Sequence, residues 1–147
     1  NDAPSVTFAS TIVTVLEDSG ANTTPNFATF SAGPSDESGQ IVTVLSVTAA
    51  DPTLFSAGPS IDNSGTLTFT PALNANGSTL VTVVVQDNGG TADGGIDKAT
   101  NTFTISITPV NDAPSVTFAT ASVTVLEDSG ASSTPAFARR LACPVCR

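Results

Sequence analysis

The stretch Thr79-Leu-Val-Thr-Val-Val-Val-Gln86 decides the fold of this 147-residue chain. Its apolar positions recur every second residue, which is the period of a β-strand with one buried face. Three valines share that face: Val81, Val83 and Val85. The segment Thr102–Thr108 shows the same period, and its apolar residues are Phe103, Ile105 and Ile107. We therefore expect two neighbouring strands that bury β-branched and aromatic side chains on one side.

Shorter runs around these two segments follow the same alternation. We expect strands at Val6 and Phe8, at Val13 and Val15, and at Leu67 and Phe69. A longer run is predicted to place four residues on one face: Ile41, Thr43, Leu45 and Val47. With no Trp or Tyr in the chain, the aromatic core is expected to consist of phenylalanines, chiefly Phe27, Phe30, Phe69 and Phe103.

Turn residues separate these runs at short intervals, for example in Ala32-Gly-Pro-Ser, Asn63-Ser-Gly and Asn88-Gly-Gly. No segment has a convincing helical period. About seven or eight short strands within roughly 110 residues are typical of a two-sheet Greek-key sandwich. The sequence therefore predicts an all-β fold, a Greek-key β-sandwich of about seven strands.

The opening of the chain occurs twice, and this repetition predicts the domain organisation. Residues 1–28 and 111–138 are identical at 22 of 28 aligned positions, with an offset of 110 residues. That period suits one independently folding domain and exceeds the period of solenoid repeats. We expect a complete repeat at 1–110, the first strands of a second repeat at 111–138, and an unrelated basic tail with a Cys-x-x-Cys motif at 139–147.

Composition limits the functions that this chain can have. Thirteen acidic residues oppose four basic ones, and the formal net charge is −9. A basic partner or a bound cation fits this balance, whereas nucleic acid does not. No apolar run approaches the roughly 20 residues of a membrane span, so no membrane insertion is expected. The chain has no His, no nucleophile motif and no phosphate-binding loop, and we expect no enzymatic activity.

Three motifs at one-domain spacing resemble a known family. They are Thr108-Pro-Val-Asn-Asp-Ala-Pro114, Val15-Leu-Glu-Asp-Ser-Gly20 and Gln86-Asp-Asn-Gly-Gly-Thr-Ala-Asp-Gly-Gly-Ile-Asp97. Together they resemble the cadherin-like tandem repeats of very large bacterial surface and secreted proteins, including adhesins of the RTX type. This resemblance implies that the sandwich has a cadherin-like or immunoglobulin-like architecture, and that such sandwiches are stacked in extracellular rods with calcium often bound near the joints.

The resemblance also implies a calcium site. The chemistry of the chain agrees with it, because calcium prefers six to eight oxygen ligands and the chain offers acids without basic neighbours. An acidic pair on an early strand, an Asp after a later strand and the linker Asn-Asp form one cluster in the cadherin pattern. The matching residues are Glu17, Asp18, Asp87, Asn111 and Asp112, joined by Glu127 and Asp128 from the second copy. The alternative is that these acids only cap turns and that Asn-Asp forms an Asx-turn before proline.

A glycine-rich loop offers a weaker second set of calcium ligands. Asp93 and Asp97 lie with Asp87 among glycines that permit tight backbone turns. The loop lacks the nonapeptide spacing of a calcium β-roll. The alternative is a long hairpin connection whose aspartates are simply hydrated.

Two hypotheses of function follow. The first is a structural module of an extracellular or cell-surface adhesin or rod, stiffened by calcium, whose partners are neighbouring repeats. The second is a subunit of a self-assembling filament, in which the duplicated segment 111–138 is exchanged between identical protomers. The assembly residues would then be Val116, Phe118, Val123 and Val125.

Overall fold

The computed structural model describes residues 1–128, 130–136 and 138–141. The chain divides into two compact units, Asn1–Val110 and Asn111–Arg147. All residues of the first unit are described, and this unit contains nine strands. They are β1 (Ser5–Phe8), β2 (Ile12–Leu16), β3 (Asn22–Thr24), β4 (Ala28–Ser31), β5 (Thr43–Ala49), β6 (Phe55–Ile61), β7 (Leu67–Pro71), β8 (Gly77–Gln86) and β9 (Lys98–Thr108). Three short 3-10 turns complete it, at Ser35–Glu37, Pro52–Leu54 and Ala92–Gly94.

The strands of the first unit form the two layers of a sandwich. One layer is a four-stranded sheet with the order β2-β9-β8-β5. The other combines the sheet β3-β7-β6 with the pair β1-β4. The Ala28 N–H at the start of β4 donates to the Gly65 carbonyl, in the turn between β6 and β7, at 3.0 Å. β1 lies in one layer, whereas β2 pairs in parallel with β9 in the other. The first strands therefore connect the two layers, and the predicted all-β sandwich is confirmed.

The core lies between the two layers and has the predicted composition. Val81, Val83 and Val85 are each 0% exposed. Phe103 is in ring contact with Phe27 at 4.8 Å, measured between ring centroids. Phe55 and Phe69 form a second edge-to-face pair. Phe30 is only half-buried and packs at the margin of this core.

The predicted shared face of Ile41, Thr43, Leu45 and Val47 fails at Val47, because the first three residues are exposed and Val47 packs against the core. Val42, Val44 and Val47 pack against the core, whereas Ile41 is 67% and Leu45 is 48% exposed. The pairing of β5 with β8 shifts between Val44 and Ser46, which is the mark of a β-bulge. One extra residue changes the face on which every later side chain lies, so a strict period of two fails across it.

The second unit repeats the pairing of β1 with β4 that is seen in the first unit. β10 (Ser115–Phe118) pairs with β11 (Ala138–Leu141), and Ser115 lies opposite Leu141. This register equals that of β1 and β4 after an offset of 110 residues. The boundary predicted after residue 138 therefore falls inside a strand, because backbone pairing tolerates the change to Arg-Arg-Leu. Residues 142–147, with Cys143 and Cys146, lie outside the described residues.

Candidate metal centre

Glu17 lies at the end of β2, where the chain also leaves β9. The parallel pairing of the two strands ends with Leu16 opposite Thr108, and the Glu17 N–H donates to the Thr108 carbonyl at 3.0 Å. The Glu17 side chain is only 1% exposed. Its Oε1 accepts from the Val110 N–H at 2.7 Å, and its Oε2 accepts from Asn76 Nδ2 at 3.2 Å. A buried carboxylate thus holds the last residues of the repeat.

Asp18 gives this carboxylate an acidic neighbour. A carboxylate oxygen of Asp18 lies within 4.8 Å of one of Glu17, and the Asp18 side chain is exposed. Within residues 1–110, all of which are described, the only basic side chain is Lys98. Lys98 begins β9, so it lies about 30 Å away along that 11-residue strand. Two adjacent carboxylates without a basic partner are suitable ligands for a hard cation such as calcium.

The remaining acids of the predicted cluster belong to the second unit. Asn111 and Asp112 begin that unit, directly after Val110. Glu127 and Asp128 lie further along it. Their part in a calcium site stays a prediction. Asp112 follows Val110, whose N–H donates to Glu17, by two residues. Covalent geometry alone therefore keeps the Cα atoms of Val110 and Asp112 within about 7 Å of each other.

Asp87 does not lie with Glu17, so the prediction that these two residues belong to one cluster is wrong. β8 runs antiparallel to β9, so Gln86 lies opposite Lys98, whereas Gly77 lies opposite Ile107. Asp87 follows Gln86 and donates its N–H to the Asp97 carbonyl at 3.0 Å. It therefore lies at the end of the sandwich where β9 begins, and Glu17 lies where β9 ends.

At the Asp87 end, buried polar side chains converge on the first residue of the chain. We call this set the amino-terminal pole: Asn1, Asp2, Glu37, Gln40 and Asp87. Asp87 is 4% exposed, and its Oδ1 accepts from the Gly89 N–H at 2.9 Å and from Asn1 Nδ2 at 3.2 Å. Asn1 Nδ2 also donates to the Ile96 carbonyl at 2.8 Å, and Asn1 Oδ1 accepts from Gln40 Nε2 at 2.9 Å.

Glu37 is a member of this pole that the sequence did not identify. It closes the first 3-10 turn and is 8% exposed, and its Oε1 accepts from the Asp2 N–H at 2.8 Å. Three buried oxygens of the pole make no hydrogen bond among the described residues: Glu37 Oε2, Gln40 Oε1 and Asp87 Oδ2. Unpaired buried oxygens are costly, so a donor or cation is expected there. Asp36-Glu37 resembles many acidic turns, and no sequence signal distinguishes its buried residue.

The glycine-rich loop brings only one of its other aspartates close to Asp87. Asp97 is half-buried and accepts from Gln86 Nε2 at 2.5 Å, next to its backbone contact with Asp87. Asp93 lies exposed in the third 3-10 turn with a φ of 53°. The role of Asp93 and Asp97 as weaker calcium ligands stays a prediction.

Comparison with known proteins identifies the family. The family model of the cadherin-like domain matches residues 1–107. The chain belongs to the cadherin-like domain family. Cadherin-like domains are structural modules of the adhesion type; they are typically extracellular and generally bind calcium. No curated protein and no solved structure matches this cadherin-like chain. Among its described residues, no helix has the length and apolar character needed to cross a membrane.

Proposed function

We propose that this cadherin-like chain is a structural repeat of an extracellular bacterial adhesin or surface rod, and that calcium stiffens its joints. The observation that carries the proposal is the acidic pair Glu17 and Asp18 at the residue where the chain leaves the sandwich. A cation bound there would act on the segment that connects consecutive repeats. Such a module works by mechanical reach and needs no catalytic group.

The repeat period supports a joint that is shared between neighbouring repeats. Asn111 and Asp112 are the counterparts of Asn1 and Asp2 after an offset of 110 residues. In the first repeat, Asn1 contacts Asp87 and the Asp2 N–H is bound by Glu37. A complete following repeat would hold its own Asn-Asp in the same way. The acidic pair of one repeat and the amino-terminal pole of the next would then lie on either side of one short linker.

By the same repetition, the other predicted ligands would belong to different joints. Glu127 and Asp128 are the counterparts of Glu17 and Asp18, so they would serve the joint after the second repeat. Asp87 would serve the joint that precedes the first repeat. Each joint would then offer carboxylate and amide oxygens from two repeats and the linker, which is the ligand type that calcium needs for six to eight contacts.

The proposal is tested by thermal unfolding of the full chain with calcium and with chelator. Binding at 100 times the dissociation constant stabilises a protein by about 2.7 kcal/mol, which raises the melting temperature of a domain of this size by roughly 10 °C or more. We expect calcium to raise the melting temperature and magnesium to raise it less. No shift at millimolar calcium would contradict the proposal.

Asp18→Asn is the variant that assigns the site. Asp18 is exposed, so its substitution leaves the core intact, and we expect it to reduce the calcium-induced shift by more than half. Asp36→Asn is the matched control, because it removes one exposed negative charge at the opposite end of the sandwich. If both variants responded to calcium like the original chain, Glu17 and Asp18 would not be the ligands.

The second candidate is the filament subunit that exchanges residues 111–138. One observation favours it: apolar side chains of the second unit are exposed where their counterparts pack in the first. Val116 is 58%, Val123 is 50% and Val125 is 55% exposed, whereas Val6 is 3% exposed and Val13 and Val15 pack against the core. Phe118 is 54% exposed. This candidate predicts oligomers that ignore chelator and that Val125→Glu disrupts.

A further inference from the structure

Exposed large apolar side chains on the strands of the first unit are confined to one sheet. Four strand residues of this kind are between 48% and 57% exposed: Ile12, Leu16, Leu45 and Leu80. They lie on β2, β5 and β8, and all three strands belong to the four-stranded sheet. The three-stranded sheet places its large apolar residues Phe55, Ile61, Leu67 and Phe69 in the core. The two outer surfaces of the sandwich therefore differ.

Strand register places two of these residues in one row. Ile12 lies opposite Thr104 on β9, and Thr104 lies opposite Leu80 on β8. The next residues along the strands, Ile105 and Val81, point into the core, so this row points outward. Two further rows carry hydroxyl groups. They are Thr14, Ser106 and Ser78 on one side, and Thr102, Thr82 and Thr48 on the other.

These outward side chains of β2, β9, β8 and β5 form a surface that we call the lateral face. No acidic residue of the first unit lies within a strand. These residues lie in loops and 3-10 turns, or directly next to the end of a strand. The charged side chain on the lateral face is Lys98, at the margin where β9 begins. Acids thus occupy the ends and connections of the sandwich, whereas this face offers hydroxyls, methyl groups and the four apolar side chains.

We propose that the lateral face binds the lateral face of a second copy of this chain. Two copies with a net charge of −9 each repel one another, so they can approach closely only where acid does not meet acid. The lateral face meets this condition and also carries the apolar side chains that a contact would bury. A twofold arrangement places the same row, Ile12, Thr104 and Leu80, on both sides of the contact.

The size of the lateral face predicts a weak contact between single repeats. Four strands about 4.8 Å apart, over seven to nine residues of about 3.3 Å each, give roughly 500 Å² per partner. A stable standard interface buries about 800 Å² per partner. In a rod that presents this face once per repeat, contacts would add through avidity. With the proposed rod as its basis, this contact would join two rods of the same repeats side by side, which is a lateral bundling function distinct from the calcium joint.

Sedimentation equilibrium of the full chain in chelator tests this proposal. We expect a monomer–dimer equilibrium at concentrations of about 0.1–1 mM, and we expect added NaCl to strengthen it because salt screens the repulsion between the two acidic copies. A chain that remains monomeric throughout this range at high salt would overturn the proposal. Association that weakens with salt would also overturn it, because it would be ionic.

Two charge variants locate the contact. Leu80→Glu places a carboxylate at the centre of the lateral face, and we expect it to weaken dimerisation about tenfold or more, because like charges would face each other. Thr68→Glu is the matched control: it adds the same charge to an exposed position on the middle strand of the other sheet. Equal weakening by both variants would contradict the assignment.

A third variant separates this contact from strand exchange. Val125→Glu alters the second unit and leaves the lateral face unchanged, so it should not affect dimerisation through that face. Dimers that Val125→Glu abolishes and Leu80→Glu spares would assign self-association to the second unit and overturn the lateral contact. Melting temperatures of the three variants within a few degrees of the original chain establish that each remains folded.

Discussion

At the scale of single residues, Gly65 is the position where a side chain is least compatible with the fold. It has a φ of +82°, and a Cβ placed on it would lie 2.0 Å from the Ala28 carbonyl oxygen. We expect Gly65→Ala to lower the free energy of unfolding by about 3 kcal/mol or more, because left-handed strain of about 1 kcal/mol adds to a clash with backbone.

Gly20→Ala is the control for this substitution. Gly20 has a φ of +70°, and no atom lies within 4 Å of its added Cβ, so only the strain remains. We expect a loss of about 1 kcal/mol in chemical denaturation. Equal losses for the two variants would show that the β4 backbone moves away from the turn at Gly65 at no cost.

Asp62 begins the same turn, and its ionisation is expected to make the free energy of unfolding depend on pH. Hydrogen bonds from the Ser64 hydroxyl and from the Thr66 N–H, at 2.6 and 2.9 Å, hold the pKa of Asp62 below its ordinary value. Because the folded-state pKa is lowered, the stabilisation is complete above the ordinary pKa of about 3.9 and is lost as pH falls through the lower value. Asn also forms such turns, so Asp62→Asn isolates the charge.

We therefore expect Asp62→Asn to be less stable than the original chain at pH 7, with the difference disappearing as pH falls through the lowered pKa of Asp62. Urea unfolding at several pH values measures this difference. A stability gap that persists unchanged in acid would mean that the turn depends on oxygen geometry and not on ionisation.

At the scale of strands, the strict alternation of β8 allows substitutions on its buried face and on its outer face to be compared at neighbouring positions. Val83 is 0% exposed, whereas the next residue, Val84, points outward and is half-buried. We expect Val83→Ala to cost about 2 kcal/mol, from two lost methylene equivalents and the cavity that they leave. Val84→Ala should cost well below 1 kcal/mol in the same denaturation experiment. The opposite ranking would contradict the register of β8.

The strands also show what the sequence could and could not predict. β8 and β9 follow the period of two over their whole core region, and their buried residues are those that the pattern indicated. β5 contains a bulge whose extra residue, Leu45, carries no distinctive side chain. The bulge lies where the Val44 N–H donates to Asn63 Oδ1 at 3.1 Å, a contact from a distant turn. Local periodicity contains no information about such a partner.

At the scale of the whole molecule, the ligand set could be predicted only in part, because the directions of the strands decide at which end of the sandwich each ligand lies. The resemblance selected Glu17, Asp18 and Asp87 by residue type and position near strand ends. Which end each residue occupies follows from the parallel pairing of β2 with β9 and the antiparallel pairing of β8 with β9. The burial of Glu37 depends on its contact with Asp2, 35 residues away in sequence. Neither feature is a local property.

The two units differ in how much backbone they protect, and hydrogen exchange of the full chain measures this. β8 and β9 pair over ten residues and carry five core residues that are at most 1% exposed. Between 111 and 128, every residue except the half-buried Asp112 is exposed, and the segment Val123–Leu126 forms no strand, unlike β2. An isolated monomer should therefore exchange amides 119–126 within seconds and those of β8 and β9 at least a thousandfold more slowly. Slow exchange at 119–126 that disappears on dilution would instead show that a second copy covers this segment, as strand exchange requires.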